Sequence, residues 1–235
     1  MTRFYFDIII SLPLVIYFIV KIRLMMRHPD NYTEEYRYGV ATSMVHCVMK
    51  NGRIRTEYTG TENLPKEGGY IMFPNHQGKF DALGIIYAHS KPCSILMEEE
   101  RSHMLLTSEF VDVLDGIRLN RHDMKKQLSA IRQLSDRVKH GKKYIVFPEG
   151  GYNHNQNTLQ EFMPGAFKAA LWACCPIVPV VLIDSYKPFE LGGLKKVTTQ
   201  VHFLEPIYYD DYKNMNTKEI SDMVKGLIKN KMEAL

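Results

Sequence analysis

At 235 residues with 24% charged side chains, the chain is long enough to bury one ordinary core without disulfides or a structural metal. Hydrophobic residues make up 45% of it, which excludes a disordered chain, and the formal charge of +4 is too small to argue for nucleic acid. That mild basicity suits an anionic membrane surface or phosphate-bearing substrates. Cys47, Cys93, Cys174 and Cys175 have no C-x-x-C spacing, and none of the nine histidines forms an H-x-x-x-H pair. Free thiols and no metal site are therefore expected.

Phe4 to Val20 is nearly continuous in apolar residues, broken by Asp7, Ser11 and Pro13, and is followed by Lys21, Arg23 and Arg27. A full membrane span takes about 20 apolar residues. The run reads as a membrane-anchoring helix, spanning or lying in the interface. Its basic flank puts the rest of the chain on the cytoplasmic face of the membrane. A buried core helix is the competing reading, since Asp7 and Pro13 suit a bilayer centre poorly. Thr33 to Met49 repeats apolar residues at helical spacing (Tyr36, Val40, Ala41, Met44, Val45, Val48), and Asn51-Gly52 ends it. Residues 1–52 thus read as an N-terminal helical membrane anchor and 53–235 as the remaining domain.

Arg53 to Thr59 alternates and predicts a strand, and short apolar runs then alternate with helical patterns. The strands are expected at Tyr70 to Phe73, Ser94 to Met97, Ile117 to Leu119, Tyr144 to Phe147, Ile177 to Ile183 and Val197 to Phe203. The helices are expected around Asp81 to His89, Ser102 to Leu114, Met124 to His140 and Gly165 to Cys174. Asp123 is placed to cap the Met124 helix and Gly141 to end it. Asn216 and Glu219 form a capping box before a last amphipathic helix. Such alternation predicts a single α/β domain with a central mixed sheet flanked by helices.

Two strand ends carry chemistry. In Asn75-His76-Gln77-Gly78-Lys79-Phe80-Asp81, a histidine and an aspartate lie five apart across a turn. The carboxylate can fold back onto one imidazole nitrogen, fix the tautomer and leave the other nitrogen as a base. Phe147-Pro148-Glu149-Gly150-Gly151 ends a second strand, with Glu149 at its tip. If the two strands are neighbours, both ends open on one cleft, where ligands of open α/β sheets bind.

These residues carry a resemblance to the 1-acylglycerol-3-phosphate acyltransferase family of phospholipid synthesis, in its bacterial branch. His76 and Asp81 match the family's first block of His, four residues, Asp. Ile117 to Arg121 resembles the second, Phe147-Pro148-Glu149-Gly150 the start of the third, and Pro176-Ile177-Val178-Pro179-Val180 the fourth. Phe162 to Lys168 is similar to the segment between the last two. The matches fall in order over roughly residues 53 to 185. The resemblance implies that His76 deprotonates an acceptor hydroxyl, with Asp81 orienting it. The acceptor is a lysophospholipid drawn from membrane lipids, and the donor is an acyl thioester, acyl-CoA or acyl carrier protein. No further cofactor is implied. It also implies that Asn75, Arg121, Glu149 and Gly150 line the acceptor site, with Arg121 on its phosphate.

The chain departs from the family at Gly151, Tyr152 and Asn153, where Thr, Arg and Ser are usual, and Arg118 stands in place of a usual aromatic. An acceptor other than 1-acylglycerol-3-phosphate is accordingly the alternative to that lipid, and an acyl thioesterase or a non-catalytic lipid-binding protein are more distant readings.

Overall fold

The computed structural model describes residues 2–191 and 195–235, with side chains from Leu12 onward, so the side chains of Phe4, Asp7 and Ser11 lie outside the described residues. The strands are β1 (Ile54–Thr59), β2 (Tyr70–Pro74), β3 (Ser94–Glu98), β4 (Ile117–Leu119), β5 (Lys143–Ile145), β6 (Ile177–Ile183) and β7 (Val197–Phe203). They form one mixed sheet in the order β1-β7-β6-β2-β5-β3-β4. Strands β6, β2, β5, β3 and β4 run parallel, while β7 is antiparallel to β6 and parallel to β1. Every residue of β2 is buried, as expected of a parallel strand covered on both faces.

The helices are α1 (Thr2–Met25), α2 (Glu34–Asn51), α3 (Asp81–Ala88), α4 (Glu99–Ser102), α5 (Thr107–Val113), α6 (Met124–Lys139), α7 (Lys168–Ala173), α8 (Lys187–Glu190), α9 (Tyr209–Tyr212) and α10 (Thr217–Glu233). On one face, Phe18, Ile22 and Met25 of α1 and Tyr38, Val40 and Val45 of α2 share a core with Ile85 of α3, Val111 of α5 and Met72 of β2. On the other, Ile131, Leu134 and Val138 of α6 pack with Ile220, Val224 and Ile228 of α10 against Ile71, Val181 and Phe167. Each such buried aliphatic side chain is worth about 1.5–3 kcal/mol over its exposed state. Asp123 caps α6 by accepting from Lys125 N and Lys126 N at 2.9 and 3.1 Å. Asn216 and Glu219 close the box at α10, with Asn216 N on the Glu219 carboxylate at 2.7 Å.

Several expected boundaries differ for identifiable reasons. The helix expected over Ser102 to Leu114 is broken into α4 and α5, with Leu106 at a φ of 71° between them. Glu109 supports the break by accepting from Leu106 N at 2.9 Å. Strand β5 stops at Ile145, although Val146 N still donates to Met72 O at 2.9 Å, because Phe147 turns out of the sheet toward His76. Gly165 lies in a 3-10 turn (Pro164–Phe167) that precedes α7, so that helix starts later than its pattern suggests. In α2, Tyr36 is exposed and stacks on Tyr32, and Tyr38 is buried in its stead. Among the described residues, no helix is long and apolar enough to cross a membrane, so the spanning form of the expected anchor is set aside.

Candidate active site

The carboxyl ends of five parallel strands meet on one edge of the sheet and supply the site: His76 after β2, Glu98 at the end of β3, Arg121 after β4, Glu149 after β5 and Asp184 after β6. Neighbouring strands β2 and β5 bring together the two motif ends read from the sequence. His76 Nδ1 lies 2.6 Å from Asp81 Oδ2. The same Oδ2 accepts from Gln77 N at 2.5 Å and Gly78 N at 3.0 Å, so the turn wraps its own carboxylate. Asp81 is fully buried, and its Oδ1 has no hydrogen-bond partner among the described residues. Gly78 fits this turn because a Cβ there would press on the Tyr186 backbone at 3.2 Å. The His76 ring stacks on Phe147, centroids 4.1 Å apart, and meets the edge of Tyr152 at 4.8 Å. Two aromatic contacts and one carboxylate therefore set the plane of the imidazole.

Glu149 is buried behind this pair. Its Oε1 accepts from His76 N at 3.1 Å and its Oε2 from Gln160 Nε2 at 2.5 Å, so its carboxylate ties the β5 loop to the backbone of His76. Burial pushes the Glu149 carboxyl up to about 7; hydrogen bonds from Gln160 and His76 oppose the rise and the nearby Asp81 charge adds to it. The folded state thus holds a proton on Glu149 between about 4.5 and 7 that the unfolded chain has released. Its contribution to stability is present at low pH and is lost as pH rises through 7. Glu149→Gln has no charge to bury, so its Tm relative to the wild type is expected to climb between pH 4.5 and 7.5. Parallel melting curves across that range would contradict the assignment.

Asn75 does not point into the cleft. Its amide spans to β6, accepting from Leu182 N at 2.7 Å and donating to Leu182 O at 3.1 Å. Gln77, unremarked in the sequence, does the same one step on, with Leu182 O at 2.8 Å and Ser185 N at 2.7 Å. The polar run after Tyr152 is also spent on the scaffold: Asn155 donates to His76 O at 3.0 Å, and Asn157 bridges Gln77 and Asp184. Arg121 reaches across to Gly150 O, and its Nε is 3.9 Å from Glu98. Gly150 has a φ of 71°, the left-handed region that favours glycine, and a Cβ there would displace the flexible ends of Met163 and Arg121. Arg118 takes no part, being held by Asp112 at 2.6 Å and Ser102 at 3.0 Å.

The mixed α/β sheet thus sets a His-Asp pair at the carboxyl end of a central strand, the place where open sheets of this kind bind their ligands. The family model described as Acyltransferase matches residues 55–183, more than half of the chain, and the chain belongs to that family. It is 25% identical over 167 residues to a probable 1-acyl-sn-glycerol-3-phosphate acyltransferase of Mycoplasma pneumoniae, covering 69% of this chain and 62% of that one. It is 27% identical over 191 residues to the 1-acyl-sn-glycerol-3-phosphate acyltransferase of Borreliella burgdorferi, covering 77% and 73%. With the human 1-acyl-sn-glycerol-3-phosphate acyltransferase alpha the figures are 31% over 162 residues, 66% and 55%. The chain thus spans less than two thirds of the Mycoplasma and human proteins it matches. The crystal structure of the 1-acyl-sn-glycerophosphate (LPA) acyltransferase PlsC from Thermotoga maritima shares the fold, with a TM-score of 0.73 over 97% of both chains at 18% identity.

Proposed function

We propose that this chain transfers a fatty acyl group from an acyl thioester to the sn-2 hydroxyl of 1-acylglycerol-3-phosphate, giving phosphatidic acid. The observation that carries this reading is the 2.6 Å contact between His76 Nδ1 and the buried Asp81 carboxylate, which leaves Nε2 as the proton acceptor. Its Nε2 takes the acceptor's hydroxyl proton as that oxygen attacks the thioester carbonyl. The carbon–sulfur bond then breaks, and the departing thiolate takes the proton back from the imidazolium. Asp81 stabilises the charged ring in between. Asn75, Gln77 and Glu149 position the His76 backbone, and Arg121 holds the acceptor's phosphate through the bidentate geometry of a guanidinium. The donor is acyl-CoA or an acyl carrier protein.

The acceptor assignment is tested by competition. Labelled acyl-CoA is supplied with equal 1-acylglycerol-3-phosphate and lysophosphatidylglycerol, and the labelled products are separated. Label chiefly in phosphatidic acid is expected; label chiefly in phosphatidylglycerol would transfer the chemistry to a headgroup-bearing acceptor.

The acceptor's membrane is met, in this reading, by α1. One stripe of that helix is buried in the core, whereas Leu12, Leu14, Ile16, Tyr17, Val20 and Leu24 face outward, beside Lys21, Arg23 and Arg27. An apolar stripe with basic neighbours suits a helix lying in the interface of an anionic leaflet. Flotation with phosphatidylglycerol vesicles is expected for the full chain and not for a triple Leu12→Ser, Ile16→Ser, Val20→Ser variant. Equal flotation would remove α1 from the membrane contact.

A further inference from the structure

Beside the dyad the rim of the cleft carries two guanidinium groups that share one carboxylate. Glu98, the last residue of β3, lies 3.3 Å from Arg101 Nε through one oxygen and 3.9 Å from Arg121 Nε through the other. The guanidinium carbon of Arg101 sits 5.6 Å from the centre of the Tyr152 ring, whose edge meets the His76 imidazole. Arg101 is therefore one aromatic ring away from the proposed base. Arg101 in α4 and Arg121 after β4 are held together: Glu99 accepts from Asn120 Nδ2 at 2.6 Å, which ties α4 to the residue before Arg121. Arg121 itself is fixed on Gly150 O.

We propose that Arg101 is a second phosphate-binding residue of the acceptor site, working with Arg121 and supplying the charge that Tyr152 does not. The inference rests on the acyl-transfer reading and names a specificity residue for it. Four bonds separate the free hydroxyl oxygen of 1-acylglycerol-3-phosphate from its phosphorus, so at about 1.5 Å a bond the two lie within about 5 Å. A hydroxyl at His76 thus carries its phosphate toward the rim where Arg101 lies over Tyr152 and Glu98 links Arg101 to Arg121. The Arg101 side chain is half exposed, and so its ion pair with Glu98 is weak and exchangeable. A phosphate with three acceptor oxygens outcompetes one carboxylate for two forked donors. Glu98 links the two guanidinium groups and opposes an incoming phosphate. Tyr152 gives Arg101 a flat surface over which its cation is favoured.

The test compares two acceptors that differ only in the phosphate, 1-acylglycerol-3-phosphate and 1-acylglycerol, with wild type, Arg101→Ala, Arg101→Lys and Glu98→Gln. A lost charge-assisted contact is worth about tenfold or more. Arg101→Ala is expected to lower the ratio of kcat/KM for the phosphorylated over the unphosphorylated acceptor by about tenfold, mainly through KM. Arg101→Lys should recover part of the loss, and Glu98→Gln should lower KM for the phosphorylated acceptor. If Arg101 only braces Tyr152 against His76, kcat falls alike with both acceptors and the ratio stays put, which overturns the proposal while the acyl-transfer reading stands. If the wild type turns over neither acceptor, the acyl-transfer reading fails. Calorimetric titration with 1-acylglycerol-3-phosphate then decides Arg101 alone, equal affinity of wild type and Arg101→Ala overturning its role.

Discussion

His76→Ala is expected to lower kcat by roughly 10²–10⁴-fold, the span typical of a lost general base, with little change in KM. The imidazole lies between Phe147 and Tyr152 and is partly exposed, so its removal trims one ring from the cleft wall and leaves the fold intact. The backbone bonds of residue 76 do not depend on its side chain: its N–H remains on Glu149 and its carbonyl on Asn155. The acceptor contacts proposed for Arg121 do not involve this side chain, which is why binding should survive while turnover does not. Steady-state rates over both substrates, with a melting curve as control, separate these effects. A variant turning over within about tenfold of the wild type would mean that another group takes the proton.

Asp81 is expected to give the second large effect, and its two substitutions should differ. In Asp81→Asn an amide can still accept from Gln77 N and Gly78 N, but it is neutral and cannot stabilise an imidazolium. Its kcat should fall about as far as that of His76→Ala, and the double variant should lose little more, because the pair works as a unit. Asp81→Ala removes the acceptor from two buried N–H groups, each costing about 1–3 kcal/mol when orphaned. That variant should therefore melt several degrees lower, whereas Asp81→Asn should stay closer to the wild type. Melting temperatures and kcat measured on both variants check the two roles separately. Equal melting temperatures would remove the turn-wrapping role, and wild-type turnover by Asp81→Asn would remove the catalytic one.

The strands were legible because a parallel strand covered on both faces leaves a short unbroken apolar run, as at Tyr70–Pro74 and Ile177–Ile183. The caps at Asp123 and Asn216 were legible because their partners lie within three residues. The His76–Asp81 contact closes across a five-residue turn and could be read for the same reason. What escaped the sequence depends on contacts between loops far apart in the chain. Leu106 bends the chain between α4 and α5 where the apolar spacing suggested one helix, since Glu109 offers its backbone N–H a carboxylate and Arg23 of α1 pins that carboxylate at 2.8 Å. Asn75 carries the same composition whether it faces substrate or the backbone of Leu182, over a hundred residues away, and only the pairing of β2 with β6 decides. Arg101 sits in a run of charged residues that reads as solvated surface, and nothing local tells that Tyr152 lies against it. Arg118, by contrast, drew notice as an unexpected charge in the second block and is occupied by Asp112.

Direct transfer of the acyl group to a lysophospholipid hydroxyl is tested by one stoichiometric measurement. Purified protein in detergent is given radiolabelled acyl-CoA with and without 1-acylglycerol-3-phosphate, and both free thiol and labelled phosphatidic acid are counted over time. One phosphatidic acid is expected for each thiol released, with little thiol release in the absence of acceptor. Thiol release at the same rate without acceptor, with the label in free fatty acid, would make the protein a thioesterase instead of a transferase.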